Sequence, residues 1–196
     1  MENIVLEVGF KLKEDMKFYD LLMKSKGLDN VYTVITHDIY YTNRNLDGMT
    51  ENELKCACIR LRNVCKIGEV NDVYKIENNF CDDLVDKYVI EEDLDLFESK
   101  MENLGFYKVF DTRKLDKHYY KEGMNSRVQL QNIDGIGVLV YYDNSNYYKY
   151  SVDVQRKMLI DELNSYGFNK GYEQEGLGKL RTLYYKENKY NLNQNC

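Results

Sequence analysis

The chain has 196 residues, 43% of them hydrophobic, enough to fill the core of one full-sized domain or of two small halves packed together. A formal net charge of -6 argues against a general nucleic-acid binder, which needs a basic surface to displace counterions from phosphates. No run is apolar enough to span a bilayer, and the Met1-Glu2-Asn3 start lacks the basic and apolar regions of a signal peptide, so a cytoplasmic protein without a membrane partner is expected.

Residues 4–12, Ile-Val-Leu-Glu-Val-Gly-Phe-Lys-Leu, alternate as a strand, with Leu6, Val8, Phe10 and Leu12 on one face and Glu7, Gly9 and Lys11 on the other. A helix follows over about 14–26, where Met16, Tyr19, Leu22 and Met23 form one stripe and Gly27 stops it. Strands are expected near 31–42 and 55–64, separated by the turn residues Asn45-Leu46-Asp47-Gly48. In the second of these, Arg60 and Arg62 share a face opposite Ala57, Ile59 and Leu61. Guanidiniums two residues apart can grip neighbouring phosphoryl groups of one ligand, although the same spacing describes a solvated strand face. Cys56 and Cys58 are also expected on one face of that strand, in a packing role. Five cysteines without a C-x-x-C pair indicate reduced thiols, not a disulfide framework or a zinc site.

Short strands near 72–78, carrying Lys75, and 86–92 precede a second helix that runs from Leu94 through Phe97, Met101 and Leu104 to Gly105. Strands near 106–120, 127–133 and 136–143 come next, and a third helix covers about 152–166, with Ser151 as its N-cap and Gly167 as its C-cap. The connections Asn132-Ile133-Asp134-Gly135 and Asp143-Asn144-Ser145-Asn146 favour antiparallel meanders. Gly-Phe-x-Lys follows both the second and the third helix, a hint of two related halves that a common capping motif would equally produce. The 19 tyrosines fit strand packing better than a platform for bases. His37 and His118 lack the spaced partners of a triad or metal cluster, and Gly135-Ile136-Gly137 is a turn, since no helix pattern follows it.

Charged residues accumulate on successive strand faces: Glu7 and Lys11, then Arg60 and Arg62, then Lys75. In this respect the chain resembles CYTH proteins, the triphosphate tunnel metalloenzymes, which include class IV adenylyl cyclases, thiamine triphosphatases and inorganic triphosphatases. Glu7-Val8-Gly9-Phe10-Lys11 is similar to the family's E-x-E-x-K, His37-Asp38-Ile39-Tyr40-Tyr41 to D-x-Y-Y, and Ile59-Arg60-Leu61-Arg62 to its arginine pair. Lys75 falls at the next lysine, Lys114-Leu115-Asp116-Lys117-His118-Tyr119 is similar to K-x-R-x-x-Y, and the stretch from Gln131 to Gly137 to the turn before the late E-x-E strand.

The resemblance implies an α+β fold: a closed, largely antiparallel β-barrel of eight strands with helices packed outside, forming one domain over 1–190; the polar last residues, 191–196, are expected as a disordered tail. It implies phosphate binding by Lys11, Arg60, Arg62, Lys75 and Lys114, with Arg113 as the other register of the last strand. Divalent magnesium or manganese would be held by Glu7 and Asp143, with Glu77 and Glu91 as further candidates. The carboxylates are depleted, however: Gly9 and Tyr141 stand where the family has glutamates, Asp143 is a shortened third, Gln131 replaces an aspartate, and Asp116 an arginine. The favoured expectation is a protein that binds a triphosphate or other polyphosphorylated small molecule, with metal-dependent catalysis weakened or lost. An active triphosphatase or adenylyl cyclase using one residual metal site is the alternative. A third reading is an unrelated antiparallel β-protein whose charged faces meet solvent.

Overall fold

The structure, a computed structural model, describes residues 6–67, 73–78, 88–90, 93–168, 173–174 and 182–184. In chain order the elements are β1 (Glu7–Lys11), α1 (Met16–Ser25), β2 (Asp29–Thr42), α2 (Glu51–Ala57), β3 (Ile59–Lys66), β4 (Tyr74–Asn78), β5 (Tyr88–Ile90), α3 (Leu94–Asn103), β6 (Tyr107–Tyr120), β7 (Val128–Ile133), β8 (Gly137–Asp143), α4 (Val152–Ser165) and β9 (Glu173–Gln174). The chain divides into two compact units, one of residues 1–34, 115–133 and 137–176, the other of 35–114, 134–136 and 177–196.

The α+β character agrees with the sequence; the closed barrel does not. Among the described residues the strands form a sheet of nine, in the order β5-β4-β3-β2-β6-β7-β8-β1-β9, whose two ends do not pair, so the sheet is open. Closure needs first and last strands that pair along their length at a matched stagger. Among the described residues the terminal strands span three residues in β5 and two in β9. Alternating charge marks a polar face of a sheet, but it carries no information on whether that face is enclosed.

In the first unit β1 pairs antiparallel with β8, and β8 with β7, so that Val8, Phe10, Leu130, Val138 and Val140 point to one side. Onto that side pack α1, through Met16, Tyr19 and Met23, and α4, through Leu159 and Leu163. The helix ends follow from local chemistry. Asp15 caps α1 by accepting from the Phe18 amide at 2.8 Å. α1, α3 and α4 all finish with a glycine followed by an apolar residue whose amide reaches back five positions: Leu28 to Met23, Phe106 to Met101 and Phe168 to Leu163. This is the six-to-one bond of a Schellman cap with its hydrophobic clasp. Because α1 shares it, the Gly-Phe recurrence after α3 and α4 is accounted for by capping. At Gly167 the φ of 102° and a side chain of Leu22 lying 3.0 Å from where a Cβ would stand both require glycine.

In the second unit β3, β4 and β5 form an antiparallel ladder. Ile39 and Tyr41 of β2 and Leu61 of β3 lie under α3, against Phe97 and Met101. Tyr40, one residue out of step, packs instead with Phe110, Leu54 and Ala57 of α2, Leu183 and Tyr184. α2 is absent from the sequence expectation, which ran a strand back to residue 55. Cys56 therefore sits on a helix and shares no strand face with Cys58. The helix begins at a capping box, in which the Thr50 hydroxyl accepts from the Glu53 amide and the Glu53 carboxylate accepts from the Thr50 amide. The tail expectation, with Gly-Phe-x-Lys beyond Phe168, lies outside the described residues.

Candidate functional site

The second unit carries a basic face built around a buried carboxylate. Strand alternation sends Ile39 and Tyr41 to the α3 side and Asp38 to the other, where it is 0% exposed. Arg62 of β3 grips it with two near-parallel bonds, Nε to Oδ1 at 2.6 Å and Nη2 to Oδ2 at 2.8 Å. Lys114 of β6 donates to Oδ2 as well. Arg60, two residues before Arg62, lies beside the buried Tyr40 phenol and acts electrostatically on Lys114. Lys75 is exposed on β4, in direct register with Arg62. Four of the five sequence-predicted phosphate binders thus belong to one unit, and Arg60, Arg62 and Lys114 gather near Asp38 and Tyr40.

Burial by itself would raise the Asp38 carboxyl, but the Arg62 hydrogen bonds and the Lys114 charge outweigh it and bring its pKa down to about 2. Lys114 moves below the ordinary lysine value, first through burial and then through the neighbouring Arg62 and Arg60 charges, against the pull of Asp38. Two short guanidinium contacts hold Asp38 in its anionic form. Lys114, and not Arg113, faces this carboxylate; Arg113 is exposed on β6, where its carbonyl accepts from the Asp134 amide at 3.0 Å. Asp38 itself was given no role by the sequence. The available signal was its parity, since a carboxylate between buried apolar neighbours needs a cationic partner.

The first unit places the remaining candidates. Glu7 of β1 and Asp143 of β8 are cross-strand partners, and both line a cavity of about 390 Å³ together with Arg127, Gln129, His118 and Tyr141. Gly9 and Tyr141 form the neighbouring same-face register pair, so an aromatic ring stands where the resemblance implies carboxylates. Lys11 is exposed, opposite Leu139. Asp116 is held by the amides of Gln131 at 2.5 Å and Gln129 at 3.1 Å. Glu91 lies outside the described residues, and Glu77 is placed in register with Arg60.

Glu7 and Asp143 fit a magnesium or manganese ion only as a two-carboxylate anchor. One oxygen of Asp143 already accepts from the Ser126 hydroxyl at 2.7 Å. No group of three or more His, Cys, Asp and Glu side chains able to hold a metal converges among the described residues. Such an ion would depend on water and ligand phosphates to complete its shell. The histidines serve packing and hydrogen bonding: His37 Nδ1 lies 2.9 Å from the Tyr74 hydroxyl, and the His118 ring lies 5.5 Å from that of Tyr32. Burial pushes both imidazoles below their ordinary value.

No family model and no curated protein matches the chain. Solved structures do. It is similar to the PH1819 protein of Pyrococcus horikoshii OT3, at 19% identity over 92% of this chain and 99% of that one, with a TM-score of 0.55. It is also similar to HpAC1 of Hippeastrum, a candidate adenylyl cyclase for which a dominant triphosphatase activity is described, at 13% identity over 94% and 96% with a TM-score of 0.53. A candidate adenylate cyclase of Vibrio parahaemolyticus matches at 12% identity over 90% and 96%, with a TM-score of 0.51. Nearly the whole of each chain is covered, so what is shared is the complete fold, the CYTH-like fold that the motif order implies.

Proposed function

We propose that this chain binds a polyphosphorylated anion, a triphosphate or a nucleotide, through Arg60, Arg62, Lys75 and Lys114, and that its metal-dependent catalysis is weakened or lost. The observation that carries this reading is the gathering of Arg60, Arg62 and Lys114 on one sheet face of an otherwise acidic protein. Guanidiniums match phosphoryl oxygens in pairs, and partial burial strengthens each contact relative to water. The triphosphatase activity described for HpAC1 supports the same ligand class. The thiols of Cys56 and Cys58 fit a reducing, cytoplasmic setting. No helix among the described residues is long and apolar enough to cross a membrane.

The depleted carboxylates support the loss of metal chemistry. An active enzyme is the second reading, favoured by the register pairing of Glu7 with Asp143. There a divalent ion would polarise a phosphoryl group.

Thermal shift with inorganic tripolyphosphate, ATP and thiamine triphosphate, each in magnesium and in EDTA, tests the proposal. A ligand present at about a hundredfold its Kd stabilises the protein by roughly 2.7 kcal/mol. We expect a shift that persists in EDTA and shrinks in Arg60→Ala. A shift seen only with magnesium, accompanied by phosphate release, would support the enzyme; no shift with any ligand would overturn both readings.

A further inference from the structure

We infer that Asp38 is a built-in counter-anion of the basic face, competing with an incoming ligand for Arg62 and Lys114 and thereby restricting that face to anions of high charge. The inference rests on the phosphate-binding reading above. A carboxylate and a phosphoryl group accept the same hydrogen bonds from the same donors, in the same bidentate geometry with arginine. Asp38 already takes the Nε and Nη2 edge of Arg62, at 2.6 and 2.8 Å, and the ammonium of Lys114. It is fully buried, so water does not share these contacts, and its depressed pKa keeps it anionic through the ordinary pH range.

The consequence is selectivity. An ion such as orthophosphate, which carries one or two charges, must share Arg62 and Lys114 with a carboxylate that is already in place. A tripolyphosphate meets the same cost once, but its additional phosphoryl groups can reach Arg60, beside Tyr40, and the exposed Lys75 in register with Arg62. Asp38 also offsets the repulsion among Arg60, Arg62 and Lys114 when no ligand is bound. A bound polyanion takes over that role, which links the stability of the ligand-free chain to ligand affinity.

The test is calorimetric titration of the full chain and of Asp38→Asn with tripolyphosphate and with orthophosphate, alongside melting curves. Asp38→Asn should melt lower without ligand, recover more on adding tripolyphosphate than the unaltered chain gains, and bind orthophosphate roughly tenfold tighter. The preference for tripolyphosphate should narrow. Lys114→Met should weaken both ligands. Unchanged affinities in Asp38→Asn would make the carboxylate purely structural, and weakened ones would make it an organiser of the cations; either overturns the inference while leaving phosphate binding standing. If the unaltered chain binds neither ligand, both proposals fall. Should Asp38→Asn not fold, the Arg62 Nε–H resonance of the unaltered chain decides: tripolyphosphate should shift it, and binding that leaves it in place overturns the competition.

Discussion

Arg62 and Asp38 meet in a geometry that lysine cannot reproduce, since only a planar guanidinium offers two parallel N–H groups to one carboxylate. This makes the pair a determinant of acid stability. In the unfolded chain Asp38 takes up a proton near its ordinary value of 3.8, whereas in the folded chain it does so only near pH 2. Between those values the unfolded state binds more protons. The stabilisation is therefore complete above about pH 4 and is lost as pH falls toward 2, with a magnitude of about 2 kcal/mol. Lys114 works in the other direction: burial lowers its value, so carrying its charge in the folded chain has a cost and the cluster as a whole contributes less than Asp38 alone. Urea unfolding at pH 5 and at pH 2.5 checks this, because the acid loss should be smaller in Asp38→Asn by about that amount. An equal loss in both proteins would remove the native ion pair from the account.

Helix α2 is held at its start by two reciprocal bonds, both on an exposed turn, and they cap a helix that buries Leu54 and Ala57. Thr50→Ala removes the acceptor for the Glu53 amide and should cost about 1 kcal/mol in urea unfolding, while Thr50→Ser should restore most of it. No loss in Thr50→Ala would mean that α2 is held by the packing of Leu54 alone. The same helix shows where the sequence was legible and where it was not. α1, α3 and α4 were readable because an apolar stripe, a glycine stop and, in α4, a capping residue agree with one another. In α2 the Thr-x-x-Glu signature was equally present, but its seven residues run straight into the alternating Ile59-Arg60-Leu61-Arg62, and a period of two extended backward hides a short helix. The faces of the strands were legible too, since Val8 and Phe10 are buried while Glu7 and Lys11 are exposed. Asp38 was not: a carboxylate in an apolar strand reads as a motif letter until its cations, 24 and 76 residues away, are folded against it.

The order of charged strands along the chain was enough to identify the fold shared with PH1819 and HpAC1, but not the closure of the sheet, which depends on the pairing of two short terminal strands that alternation does not encode. That order also defines a test of how this chain departs from the metal-binding pattern it resembles. Gly9 and Tyr141 face each other across β1 and β8, and beside them on the same face Glu7 faces Asp143. Gly9→Glu with Tyr141→Glu would therefore place four carboxylates on adjacent register pairs at the edge of the cavity that Glu7, Tyr141 and Asp143 line. Tyr141 is only 7% exposed, so a charged side chain there is costly without a cation, and the double variant should melt lower than the unaltered chain in EDTA. Manganese or magnesium should recover that loss, because an ion that binds the folded chain stabilises it in proportion to the logarithm of its concentration over Kd. The unaltered chain should respond far less to either ion. A double variant that stays insensitive to both would mean that these four positions do not converge on one ion, and the proposed loss of metal chemistry could not rest on the Gly9–Tyr141 pair.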